Sequence, residues 1–160
     1  MRSLDKGVQA DFHFSKIYLD TCCLSRIFDP PTQMRIRREA EATSQILTYC
    51  FSGRWYWIVS DVLLDEVNQN SNLGVRFQIK NWMTLAHQTV SVGANESKRG
   101  MQLEDLGFKR RDALHLACAE SAEVDIFLTT DDRLLRRAKR YQMQLHIQVE
   151  NPYIWLQPEV

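Results

Sequence analysis

Short runs rich in β-branched and aromatic residues alternate along this chain with longer stretches in which apolar positions recur every three or four residues. The short runs fall at 16–19, 55–59, 88–92, 125–128 and 145–147, which makes five candidate strands. The longer stretches at 35–50, 61–70, 75–87, 96–106, 112–121 and 132–141 carry the helical period. Strands that take turns with helices imply a mostly parallel sheet covered on both faces, an α/β chain, with Gly53, Gly93 and Gly107 marking connections. Residues 1–15 show no period and read as an N-terminal extension; 16–160 read as one unit, without repeats or a linker-like shift in composition.

Composition narrows this picture. With 160 residues, 44% of them apolar, the chain suits one core of useful size. Lysine plus arginine number 20, and so do aspartate plus glutamate, so any nucleic-acid surface must come from local placement of charge. The four cysteines, Cys22, Cys23, Cys50 and Cys118, lack the spacing of a zinc site and read as reduced thiols. No signal-peptide pattern and no apolar stretch of about 18 residues is present, so the expected location is the cytoplasm, with no membrane partner.

In an open α/β sheet, ligands bind in the turns beyond the carboxyl ends of the strands, which directs attention to acids there. Asp20 follows the first strand directly. Glu66 lies three residues beyond Leu63 and four beyond Val62, beside an apolar stripe where a solvated glutamate is out of place. Asp112 opens the helix whose Ala113, Leu116 and Ala117 point inward, and Asp131 follows the fourth strand after Thr129 and Thr130. Taken singly, Asp112 and Asp131 are also good helix caps, a role that contributes about 0.5 to 2 kcal/mol. As a set in one crevice, these carboxylates repel one another and lose hydration, which favours a cation among them; oxygen ligands suit magnesium or manganese.

The same residues carry a family resemblance. Ile17-Tyr18-Leu19-Asp20-Thr21, Val59-Ser60-Asp61-Val62-Leu63-Leu64-Asp65-Glu66-Val67, Arg111-Asp112-Ala113-Leu114-His115-Leu116-Ala117 and Phe127-Leu128-Thr129-Thr130-Asp131-Asp132-Arg133-Leu134 resemble, in order, the four motifs of the PIN-domain family. Each motif is weak alone; the set is specific. The resemblance covers the chain from about Lys16 onward and implies a three-layer α/β/α sandwich around a parallel sheet of about five strands. It also implies Mg2+- or Mn2+-dependent hydrolysis of phosphodiester bonds, often in RNA. Small members are often toxins paired with an antitoxin and often form homodimers. One departure stands out: many relatives carry a further acid two places after the fourth one, where this chain has Arg133, with Asp132 one place earlier, so one ion or two remain open.

On this reading Asp20, Glu66 and Asp112 hold the first metal, while Asp131 and Asp132 complete the acidic rim, and Thr21, Thr129 and Thr130 orient the acids or water. The alternative is a PIN-like module that binds RNA or protein without cutting. A haloacid-dehalogenase-like phosphatase would need a second acid two places after Asp20, where Cys22 stands. Lys109, Arg110 and Arg111, next to Asp112, are the best candidates for RNA contact. The runs Arg35, Arg37, Arg38 and Arg133, Arg136, Arg137, Lys139, Arg140 read as solvated helix faces. His115 shares a helical face with Asp112 but reads as a packing residue, and Trp55, Trp57 and Trp82 as core.

Overall fold

A computed structural model of the chain describes residues 15–157. The expected extension at 1–15 lies, apart from Ser15, outside these residues. In chain order the elements are β1 (Lys16–Leu19), α1 (Thr21–Arg26), α2 (Met34–Phe51), β2 (Tyr56–Ser60), α3 (Asp61–Asn68), α4 (Leu73–Met83), β3 (Gln88–Val90), α5 (Ala94–Asp105), α6 (Arg110–Ser121), β4 (Ile126–Leu128), α7 (Asp132–Arg140), β5 (Gln148–Glu150) and α8 (Pro152–Leu156). The five strands form one parallel sheet in the order β3-β2-β1-β4-β5.

The three central strands, β2, β1 and β4, read as nearly continuous apolar runs because both faces of the sheet are covered there, whereas the edge strands β3 and β5 are more polar. Side chains alternate between two cores. Tyr18, Ile58 and Phe127 point to one face, where Leu103 of α5, the small residues of α6 and Leu134 and Ala138 of α7 pack on them. Ile17, Leu19, Trp57, Val59, Ile126 and Leu128 point to the other, against Cys23 and Leu24 of α1, Ile46, Leu47 and Cys50 of α2 and Ile79 of α4. Helix α3 serves both faces, Val62 on the first and Leu63 and Val67 on the second. This is the expected α/β sandwich. Among the described residues, no helix is long and apolar enough to cross a membrane.

Three local differences from the sequence reading have physical causes. The last strand lies at 148–150 and not at 145–147: Leu145 and Ile147 are apolar because they pack on the core from a loop, whereas the edge strand pairs through its backbone and keeps Gln148 exposed. Helix α6 begins at Arg110, two residues before the expected Asp112. Gly107 carries the left-handed φ of 99° after α5 that lets the chain reverse into it. Two helices escaped notice, α1 and α8, each too short to show a period; Asn151 caps α8, its Oδ1 accepting from Tyr153 N at 2.8 Å, with Pro152 in the first turn.

Candidate metal centre

Strand order places the site. From β1 the chain builds outward to β2 and β3 on one side, then returns to lay β4 on the other side of β1, so the order reverses between β1 and β4. The crevice beyond their carboxyl ends is the position where open α/β sheets bind ligands. Asp20 closes β1 there. Its backbone N–H donates to Leu128 O at 2.9 Å, and its buried carboxylate caps α1 by accepting from Thr21 N at 2.8 Å. The other oxygen accepts from the Thr129 hydroxyl at 2.8 Å. That same hydroxyl oxygen accepts from Asp131 N at 3.1 Å, which ties the ends of β1 and β4 together.

Glu66 reaches the crevice from α3. Its Oε1 accepts from the Thr21 hydroxyl and from His115 Nε2, the latter at 3.1 Å, and its Oε2 accepts from Arg111 Nη1 at 3.2 Å. Burial alone would raise this carboxyl, but the bonds from His115 and Thr21, aided by Arg111, lower it to about 2. Atoms of Asp20, Glu66 and His115 that can serve as ligands all lie within 4.8 Å of one another.

His115 is the residue that sequence reasoning undervalued. It is buried, and its Nε2 faces two carboxylate oxygens, Glu66 Oε1 at 3.1 Å and Asp20 Oδ1 at 3.8 Å, so that nitrogen carries the proton. Nδ1 then accepts from the Tyr18 hydroxyl at 2.7 Å, and the Ser60 hydroxyl lies 2.6 Å from the same phenol. Burial pushes the Tyr18 phenol well above its usual pKa, so it stays a donor. Ser60 Oγ in turn accepts from Leu63 N at 3.2 Å and caps α3. A chain of buried hydrogen bonds thus runs from the start of α3 to the Glu66 carboxylate and sets its direction. The signals available in sequence were the three-residue spacing from Asp112 to His115 and the place of Ser60 six residues before Glu66 in the second motif. Tyr18 gave none, because only the sheet register brings it to them.

Asp112, in the first turn of α6, is half-buried and accepts no hydrogen bond among the described residues. Burial, then the charges of Asp20 and Asp131, and further the charge of Glu66, raise its carboxyl from 3.8 to about 6, against an opposing influence of His115. Asp131 caps α7, accepting from Arg133 N at 2.9 Å and Leu134 N at 3.3 Å. Of the two acids weighed as caps, Asp131 is one, whereas Asp112 is a first-turn acid behind the N-cap Lys109; Asp20, not weighed as a cap, caps α1.

No family model and no curated protein matches this sequence. Solved structures do. A crystal structure of VapBC2 from Rickettsia felis bound to a DNA fragment from their promoter has a chain that superposes with a TM-score of 0.55, at 13% identity, covering 85% of this chain and 98% of that one. The fold is PIN-like. At that identity the likeness speaks for the fold alone.

In this PIN-like frame, the expected residues separate. Asp20, Glu66, Asp112 and Asp131 meet in one electrostatic neighbourhood. Asp132 does not join them: it is exposed and bidentate to Arg35, at 2.8 Å on both oxygens, and Arg35 holds its carboxyl below the usual range. Arg35 also donates to Thr130 O at 3.0 Å and to the buried Glu39 at 3.2 Å, so Asp132 is committed to a surface network. Thr21 and Thr129 touch the acids through their hydroxyls, whereas Thr130 offers its backbone, donating its N–H to Cys22 Sγ at 3.3 Å. Lys109 is the N-cap of α6, Arg110 and Arg111 line a surface cavity beside Val62 and Gln69, and Arg111 is held by Glu66 and Gln69.

The donor set fits a hard divalent cation. Asp20 and Glu66 offer carboxylate oxygens beside His115 within 4.8 Å, and Asp112, half-buried and without a hydrogen-bond donor among the described residues, lies near enough for its carboxyl to be raised by their charge.

Proposed function

We propose that this protein is a metal-dependent ribonuclease of the PIN type, the toxin of a toxin-antitoxin pair. The observation that carries the reading is the gathering of Asp20, Glu66 and His115 within 4.8 Å beyond the end of β1, beside Asp112, whose carboxyl burial and the charges of Asp20 and Asp131 push up. Mutually repelling acids at the switch point of a parallel sheet are what a cation-dependent site for a phosphodiester requires. The likeness to VapBC2 supports the paired-toxin part, with a protein antitoxin as partner; a homodimer is part of the same reading on the strength of the motif resemblance alone.

Asp20, Glu66 and Asp112 would hold Mg2+ or Mn2+, with Asp131 on the rim. Bound there, the cation supplies Lewis acidity toward water and neutralises charge on the scissile phosphate. The chain's own residues fix the ligand directions. Thr129 and the N-terminus of α1 hold Asp20, while Thr21, His115 and Arg111 hold Glu66, so little reorganisation remains when substrate arrives. Arg111 lies next to the acids, where it can exchange its bond to Glu66 for one to a phosphate.

Cleavage of a mixed RNA pool with Mn2+, Mg2+ or chelator, by the wild type and by an Asp20→Asn, Asp112→Asn double variant, tests this. Cutting that needs metal and vanishes in the double variant is expected. A folded wild type that binds RNA but cuts nothing in either metal would instead support a non-catalytic module.

A further inference from the structure

Helix α7 carries a cationic face that the acidic centre does not use. Arg133, Arg136, Arg137 and Arg140 recur at helical spacing and together line one shallow depression. Arg137 is occupied, its Nη1 donating to Leu106 O at 3.1 Å and its guanidinium lying over Gly107. Arg133, Arg136 and Arg140 are exposed and make no ion pair among the described residues. The acid closest to them in sequence, Asp132, is taken by Arg35 and reaches Arg136 only at longer range.

Ordinary helix electrostatics does not explain the row. The dipole favours cations in the last turn, which accounts for Arg140, but disfavours Arg133 in the first. Guanidinium groups at these spacings repel one another, and although Arg137 bonds Leu106 O and Arg140 lies over the Tyr141 ring, 5.4 Å from its centroid, Arg133 and Arg136 have no such compensation within the helix. A polyanion would relieve that repulsion. The row also starts at the acidic crevice, because Arg133 N is bonded to the Asp131 carboxylate, and it continues about 10 Å along the helix.

We propose that single-stranded RNA leaves the acidic crevice with successive phosphates bound by Arg133, Arg136 and Arg140. This rests on the ribonuclease reading for its choice of RNA. It adds phosphate contacts beyond 109–111, where Arg111 must first give up its bonds to Glu66 and Gln69. Guanidinium forks match phosphate oxygens bidentately, and a regular row of them matches the regular charge of a backbone better than it matches an irregular acidic peptide.

The test is the salt dependence of binding of a short fluorescein-labelled single-stranded RNA, followed by anisotropy in chelator. The full chain is compared with Arg133→Gln, Arg136→Gln, Arg140→Gln, with the Lys counterpart, and with Arg37→Gln, Lys80→Gln, Lys98→Gln, which removes equal charge elsewhere. Three lost contacts should reduce the slope of log K against log salt by about 2, so that between about 50 and 200 mM salt the Gln variant loses roughly 20-fold less affinity than the wild type. The Lys counterpart should keep most of the slope, and the control should keep nearly all. Equal slopes for the Gln variant and the control, or no binding by the wild type, would overturn the proposal. Loss of poly-glutamate binding with the RNA slope unchanged would overturn it in favour of an acidic protein partner. Cleavage of the same RNA with Mn2+ separates the two claims. Cutting with equal slopes removes the arginine row and leaves the nuclease, and a row-dependent slope without cutting removes the nuclease and leaves the row.

Discussion

Replacing Asp112 by Asn should stabilise the metal-free protein, a result opposite to that of most substitutions at half-buried polar sites. The carboxyl is raised from 3.8 to about 6, first by burial and then by Asp20 and Asp131. A shift of that size corresponds to a penalty of roughly 3 kcal/mol on the ionised form. Solvent reaches this half-buried side chain and screens the repulsion, which brings the expected effect down to about 1–2 kcal/mol. Because folding raises this pKa, the folded chain holds the proton more tightly than the unfolded chain between about pH 4 and pH 6. Stability contributed by this group is therefore lost as pH rises through that window. Below it both states carry the neutral acid, and the variant should be about as stable as the wild type. The advantage of Asp112→Asn should grow from little near pH 4 to its full value above about pH 7. Urea unfolding followed by tryptophan fluorescence, in chelator throughout, measures this difference. A variant less stable than wild type at about pH 7, or a difference that does not change with pH, would show that Asp112 is not crowded by the other acids.

Other changes should act in the ordinary direction. Glu66→Ala leaves buried His115 Nε2 without its Glu66 acceptor and should cost about 1–3 kcal/mol at neutral pH. Since the Glu66 carboxyl is lowered to about 2, that cost should shrink as pH falls below about 4.5, which urea titrations of both proteins would detect. Tyr18→Phe removes the hydroxyl between Ser60 and His115 and should cost about 1–3 kcal/mol in the same assay. It should also loosen Glu66, read as weaker Mn2+ binding. Gly107→Ala forces a side chain into a left-handed backbone and against the Arg137 guanidinium, and should lower stability by about 1–3 kcal/mol without changing the metal affinity of the folded protein.

Asp20 and Asp131 were legible because each follows a strand closely, so the strand pattern alone carries them to the sheet edge. Glu66 was legible for another reason, a charge at an inward position of an amphipathic helix. The hydrogen-bond chain through His115, Tyr18 and Ser60 was hidden. Tyr18 looks like any strand aromatic, and only the parallel pairing of β1 with β2 and the packing of α6 bring the three together. Asp132 lies elsewhere than its adjacency to Asp131 suggested: successive residues at a helix start point in different directions, and Asp132 points to Arg35. The polar sequence of β5 concealed it, because an edge strand needs backbone partners more than apolar side chains.

Titration of the purified protein with Mn2+, with free ion counted by electron paramagnetic resonance, tests the central claim most directly. Saturable binding by the wild type that is lost in Asp20→Asn and in Asp112→Asn, and kept in Asp132→Asn, is the expected result. Binding that survives the first two substitutions, or its absence from a folded wild type, would contradict the assignment of the acidic crevice as a metal centre.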